Sequence, residues 1–116
     1  MQPLIANAVA EIPSPANMSL VTRGEWLRAI MGGEWGETEA GLRHWRDNVI
    51  TYLTQAPVDT VVFSHFIAIN VALGAAIGDE RVVCFKPAHA SVTVIETNGR
   101  VISLVELGET AETAVR

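Results

Sequence analysis

Cysteine is nearly missing from this chain. Cys84 stands alone among 116 residues, which excludes an internal disulfide and a cysteine-built zinc site and makes a reducing cytoplasm the expected compartment. Charge is sparse: 18% of residues are charged, eight basic against thirteen acidic, for a formal charge of −5. An acidic balance offers no broad counterion release, so nucleic acid is not an expected partner. No basic and then apolar leader opens the sequence at Met1-Gln2-Pro3-Leu4, and no signal peptide is expected. There is no internal repeat, no low-complexity run, no phosphate-cradling glycine loop, and no carboxylate–histidine spacing for a metal; neither metal nor cofactor is expected. With 49% hydrophobic residues the chain holds enough apolar matter for one folded domain, 1–116, and is too short for a second.

One long stretch lacks charge altogether. Between Asp59 and Asp79 no residue is ionised at neutral pH unless His65 takes a proton, and the length approaches that of a membrane span. It opens with the β-branched run Thr60-Val61-Val62, is interrupted by Ser64-His65 and Asn70, and contains Gly74. That pattern predicts a buried strand followed by a buried helix and no membrane partner.

Along the chain, Ile12-Pro13-Ser14-Pro15 is extended. A helix is expected from about Thr22 to Met31, with Trp26, Leu27 and Ile30 grouped and Gly32-Gly33 as its stop. Thr38 is the expected N-cap of a second helix running from Glu39 to about Gln55, with the stripe Leu42, Trp45, Val49, Tyr52 and Leu53, and Pro57 beyond its end. Thr60 to Ser64 reads as a buried strand, and Ile67 to Ile77 as a helix apolar on nearly all sides that ends at Gly78. Val82 to Phe85 is a short candidate strand. Ser91 to Thr97 and Arg100 to Leu107 flank Asn98-Gly99, the signature of a hairpin closed by a type I′ turn. The expected class is α/β, a mixed sheet with flanking helices and a C-terminal β-hairpin.

Chemistry concentrates at Ser64-His65-Phe66. These residues stand at the expected C-terminal end of a strand, where α/β folds place ligands, and at a helix start whose N–H groups attract anions. His65 is therefore either a capping or core histidine or an anion contact, supported by the backbone N–H of Phe66. Arg43 and Arg46 read as a solvated helix face, His44 as the edge of the apolar stripe, Cys84 as an inert core thiol, and the tryptophans as packing residues.

The run Val62-Phe63-Ser64-His65-Phe66-Ile67-Ala68-Ile69-Asn70, followed by Pro87 and by Ser91-Val92-Thr93-Val94-Ile95-Glu96, resembles the C-terminal half of the histidine phosphatase superfamily, the phosphoglycerate-mutase-like group. The resemblance covers most of the chain, with the Trp26, Trp35 and Trp45 region in the place of the family's helical insert. It implies a partial phosphoglycerate-mutase-like fold and a phosphomonoester phosphatase acting through a phosphohistidine on a phosphorylated small molecule. On that basis His65 is the second pocket histidine and holds the transferring phosphoryl group, and Glu11 is the acid that protonates the leaving oxygen. The alternative for Glu11 is a solvated carboxylate. His89 takes a loop position near the pocket rim, as a contact or a loop brace.

The sequence departs from the family where the chemistry begins. It contains no Arg-His-Gly, the motif of the nucleophile; its histidines are His44, His65 and His89, and no arginine precedes Glu11 to clamp phosphate. The chain is therefore expected to be an N-terminally truncated domain, inactive alone. The alternative is a non-catalytic remnant that binds an anion or a protein and self-associates through an exposed sheet edge.

Overall fold

The computed structural model describes residues 4–6, 12–56 and 59–110. The element order is β1 (Leu4–Ala6), α1 (Leu20–Met31), a 3-10 turn (Trp35–Glu37), α2 (Ala40–Thr54), β2 (Thr60–Val62), α3 (Phe66–Ile77), β3 (Val94–Thr97) and β4 (Ile102–Glu106). The class is mixed α/β, as the sequence implies.

The described strands do not join into one mixed sheet. Among the described residues, β1 and β2 form a parallel pair, Ile5 opposite Val61, and β3 and β4 form a separate antiparallel pair. β1 escapes sequence reading because three residues carry no periodicity, and its strand state comes from its neighbour β2. The continuous apolar run of β2 suggests two covered faces. One is left open, with Val61 44% and Phe63 59% exposed.

α3 is the centre of the molecule. Its residues Ile67, Ala68, Asn70, Val71, Ala72, Leu73 and Gly74 are buried, with α2 packed on one side and β4 on another. The core joins Ile67 and Val71 to Ile12, Trp35, Leu42, Val49 and Val82, and α1 lays Trp26, Leu27 and Ile30 against it. Gly78 ends α3 in the left-handed conformation, φ 72°, which a side chain would strain. Gly74 is needed for space: a Cβ there would come within 2.9 Å of the Asp79 carbonyl oxygen.

Several local expectations are corrected. α1 begins two residues early because Ser19 caps it, its hydroxyl accepting the Thr22 N–H at 3.1 Å. Gly32 closes that helix in the right-handed conformation, so its stop does not depend on positive φ. Thr38 does not cap α2; Glu39 occupies that position, and the Thr38 hydroxyl donates back to the Trp35 carbonyl at 2.7 Å. Tyr52 falls outside the buried stripe at 47% exposed. Pro57 lies outside the described residues.

The hairpin is present with a different turn. Thr97 pairs with Ile102, leaving a four-residue loop, and of Asn98 and Gly99 only the glycine has positive φ. The Asn98 carboxamide replaces the tight turn by accepting the N–H groups of Arg100 and Val101 at 2.9 and 3.0 Å.

Val82 to Phe85 forms no strand. Arg81 makes one isolated bridge to Glu34, Val82 N–H donates to the Gly33 carbonyl, and the next N–H groups turn to a side chain. That side chain is Asn70, fully buried on α3. Its Oδ1 accepts from Cys84 N at 2.6 Å and from Phe85 N at 3.0 Å, while Nδ2 donates to the Phe66 carbonyl at 3.0 Å. With these donors satisfied by Asn70, the segment has no need of a ladder partner.

Candidate functional site

His65 stands where the sequence places it, between the end of β2 and the first turn of α3. It is the N-cap residue, with extended backbone (φ −120°, ψ 166°), and its carbonyl accepts the Ile69 N–H at 2.9 Å. Its side chain makes no capping bond and is exposed. Phe66, Ile67 and Ala68 open the helix, and N–H groups of a first turn have no acceptor within their own helix. His65 is thus exposed at the positive end of a twelve-residue helix.

His89 is exposed in the loop before Ala90, a residue held at φ 60°, and no hydrogen bond or ion pair joins it to His65. Glu11 lies outside the described residues. His44 is exposed on α2. Among the described residues, no three His, Cys, Asp or Glu side chains converge on a metal position, and no buried side-chain nitrogen or oxygen lacks a hydrogen-bond partner. No helix among them is long and apolar enough to cross a membrane.

A cavity of about 270 Å³ opens between the end of α2 and β2, lined chiefly by Thr51, Tyr52, Leu53, Ala56, Thr60 and Val62. Its wall is mostly apolar, and its lining residues include no Asp, Glu, His, Lys, Arg or Cys.

Both arginines of α2 are committed, in contrast to the solvated face expected of them. Arg43 donates to the Thr38 carbonyl. Arg46 lies 5.6 Å over the ring of buried Trp35, pairs with Asp47 at 3.1 Å and reaches Glu80 at 3.6 Å. Trp35 in turn tilts against Trp45 with ring centres 6.3 Å apart, and the Trp35 backbone N–H donates to the Glu80 carbonyl at 2.9 Å. The three tryptophans thus serve packing, and the Gly32 to Glu37 segment is stitched to the exit of α3.

At that exit, Arg81 donates to both carboxylate oxygens of Asp79, the closest contact 2.6 Å. These side-chain bonds, with the Arg81 N–H as second cause, bring the Asp79 carboxyl down to about 2. Cys84 is half-buried, and loss of water followed by the nearby Asp79 charge pushes its thiol up to about 11. A thiol held protonated is a poor nucleophile, as its apolar sequence context implies.

Sequence reading undervalued Asn70, seen there as an interruption of an apolar run. A single carboxamide four residues after Phe66, on a helix otherwise free of polar side chains, is the signal that a backbone must be received there.

No family model, curated protein or solved structure matches this chain.

Proposed function

We propose that this chain carries the phosphate-receiving part of a histidine-phosphatase-like domain. His65 and the Phe66 N–H hold the oxygens of a phosphomonoester, and Glu11 supplies the proton to the leaving oxygen. A protonated leaving group departs as an alcohol, which lowers the barrier relative to an alkoxide. The observation that carries the reading is the exposed, uncapped side chain of His65 at the start of α3, directly after a strand in parallel pairing. The sequence motifs around His65 and Ser91 support it.

These 116 residues contain no Arg-His-Gly, so the attacking histidine of a phosphohistidine route is not among them. Binding of phosphate without turnover is the activity expected of the chain alone. The direct test is titration with inorganic phosphate, followed through the imidazole resonances of His65, His89 and His44, beside an assay of p-nitrophenyl phosphate hydrolysis. A saturable shift at His65, lost in His65→Ala, supports the reading; shifts equal at all three histidines oppose it.

A second reading, a non-catalytic interaction module, is favoured by the open side of β2. Val61 and Phe63 are exposed there, while Thr60 and Val62, alternating with them along the strand, line the apolar cavity.

A further inference from the structure

The chain holds five asparagines, and Asn98 alone is followed by glycine. Asn7, Asn17, Asn48 and Asn70 precede alanine, methionine and two valines, whose side chains crowd the next backbone nitrogen. Gly99 leaves that nitrogen open: a Cβ built there would meet no atom within 4 Å. Asn98 and Gly99 are exposed in the four-residue loop between the paired Thr97 and Ile102. The Gly99 N–H therefore lies outside the strand ladder. It donates to Thr97 Oγ1 at 3.1 Å, an exposed contact that water can replace.

The Asn98 carboxamide is held for attack. Its Oδ1 accepts the N–H groups of Arg100 and Val101 at 2.9 and 3.0 Å. Two donors on a carbonyl oxygen draw electrons from its carbon and stabilise the negative charge that forms on the oxygen when a nucleophile adds. Among the described residues no acceptor holds Nδ2, the nitrogen that has to depart. The other described asparagines lack this combination. Asn48 and Asn70 lie within α2 and α3, where the next N–H donates along the helix. Asn70 is also fully buried, with its side chain bonded at both ends. Asn17 is exposed but precedes Met18.

We propose that Asn98 is a site of spontaneous deamidation, carried out by the folded hairpin tip. Hydroxide from water takes the Gly99 amide proton, and the Gly99 nitrogen bonds to Asn98 Cγ. The Cγ–Nδ2 bond then breaks, and Nδ2 takes a proton and leaves as ammonia. Water reopens the resulting cyclic imide at either of its carbonyl carbons. Addition at Cγ gives aspartate; addition at the main-chain carbon gives isoaspartate, with the backbone rerouted through Cβ and Cγ. One water enters and one ammonia leaves, with no oxidation or reduction. Aspartate keeps both turn bonds, now made to a carboxylate. Isoaspartate lengthens the main chain by one carbon and displaces Gly99, whose carbonyl accepts from Gln55 Nε2 at 3.4 Å. Gln55 lines the cavity at the end of α2, so the modification reaches beyond the hairpin. The proposal depends on neither the phosphate reading nor the interaction reading.

The test is incubation of the full chain at neutral pH and physiological temperature, native and unfolded in urea, beside Asn98→Gln. Samples are digested over days and read by mass spectrometry, with isoaspartate methyltransferase labelling to identify the rearranged product and circular dichroism to confirm that the native sample stays folded. In the native chain the Asn98 peptide is expected to gain the mass difference between water and ammonia before the peptides of Asn17, Asn48 and Asn70. Its rate should be no more than about tenfold below that of the unfolded chain, isoaspartate should be among the products, and Asn98→Gln should abolish the change in that peptide. Conversion in the native chain more than about tenfold slower than in the unfolded one overturns the proposal. Earlier conversion at another described asparagine, or a product free of isoaspartate, overturns it equally.

Discussion

The side-chain oxygen of Asn70 accepts the backbone N–H of Cys84 at 2.6 Å, from a position on α3 with no solvent exposure. Through this bond and its neighbour to Phe85, one carboxamide fastens the segment after α3 onto the helix. Asn70→Leu keeps the branched shape and removes the acceptor, stranding two donors that would otherwise be satisfied. A loss of about 2–4 kcal/mol is expected, read as a lower urea midpoint, with faster hydrogen exchange at the Cys84 and Phe85 amides. A loss below about 1 kcal/mol would mean these donors find other acceptors.

Gly74 and Gly24 should respond to alanine in opposite directions. At Gly74 the new methyl meets the Asp79 carbonyl at 2.9 Å and Cys84 Sγ at 3.5 Å, where the chain is already tied by the Asp79 N–H to the Gly74 carbonyl. Gly74→Ala is expected to cost about 1–3 kcal/mol in spite of better helix propensity. At Gly24 the nearest atom is the mobile Arg28 Nη1 at 3.7 Å, so Gly24→Ala should gain up to about 1 kcal/mol. Thermal melts of the two variants side by side measure the contrast.

Cys84 makes stability fall on the alkaline side. Its folded value of about 11 lies above the ordinary 9.0, so between those values the unfolded chain releases the proton while the folded one keeps it. This contribution is complete below pH 9 and is lost as pH rises toward 11. Iodoacetamide should label the native thiol far more slowly at pH 8 than it labels the urea-unfolded chain. Equal rates would place the thiol in water.

Asp79 acts at the other extreme. Its carboxyl is held near 2 against an ordinary 3.8, first by the Arg81 side chain. The favourable contribution is present above pH 3.8 and declines as pH falls toward 2. Carboxyl-carbon resonances should titrate near pH 2 in wild type and return toward 3.8 in Arg81→Ala.

What the sequence conveys follows from where the information is local. α2 and α3 are legible because Leu42, Trp45 and Val49 keep helical period, and because Gly78 can stop a helix by a conformation few other residues adopt. The start of α1 is obscured by Leu20 and Val21, apolar residues left 84% and 73% exposed, which blur the stripe that Ser19 introduces. The fate of Val82 to Phe85 is not local: a β-prone run becomes a loop because Asn70, more than a turn of sequence away and on another element, takes its N–H groups. The same holds for Arg43 and Arg46, whose partners Thr38, Trp35 and Glu80 are brought to them by the fold. At the candidate site, the position of His65 is legible from strand and helix signals, while the apolar cavity lined by Tyr52, Leu53 and Val62 depends on how α2 meets β2.

The most direct measurement is the affinity for inorganic phosphate, by calorimetry at pH 6 and pH 8, of wild type and His65→Ala. Phosphate reception at His65 predicts saturable binding to wild type that falls at least tenfold in the variant. Equal affinities for the two proteins, or no saturable binding to wild type, would contradict a phosphate site at the start of α3.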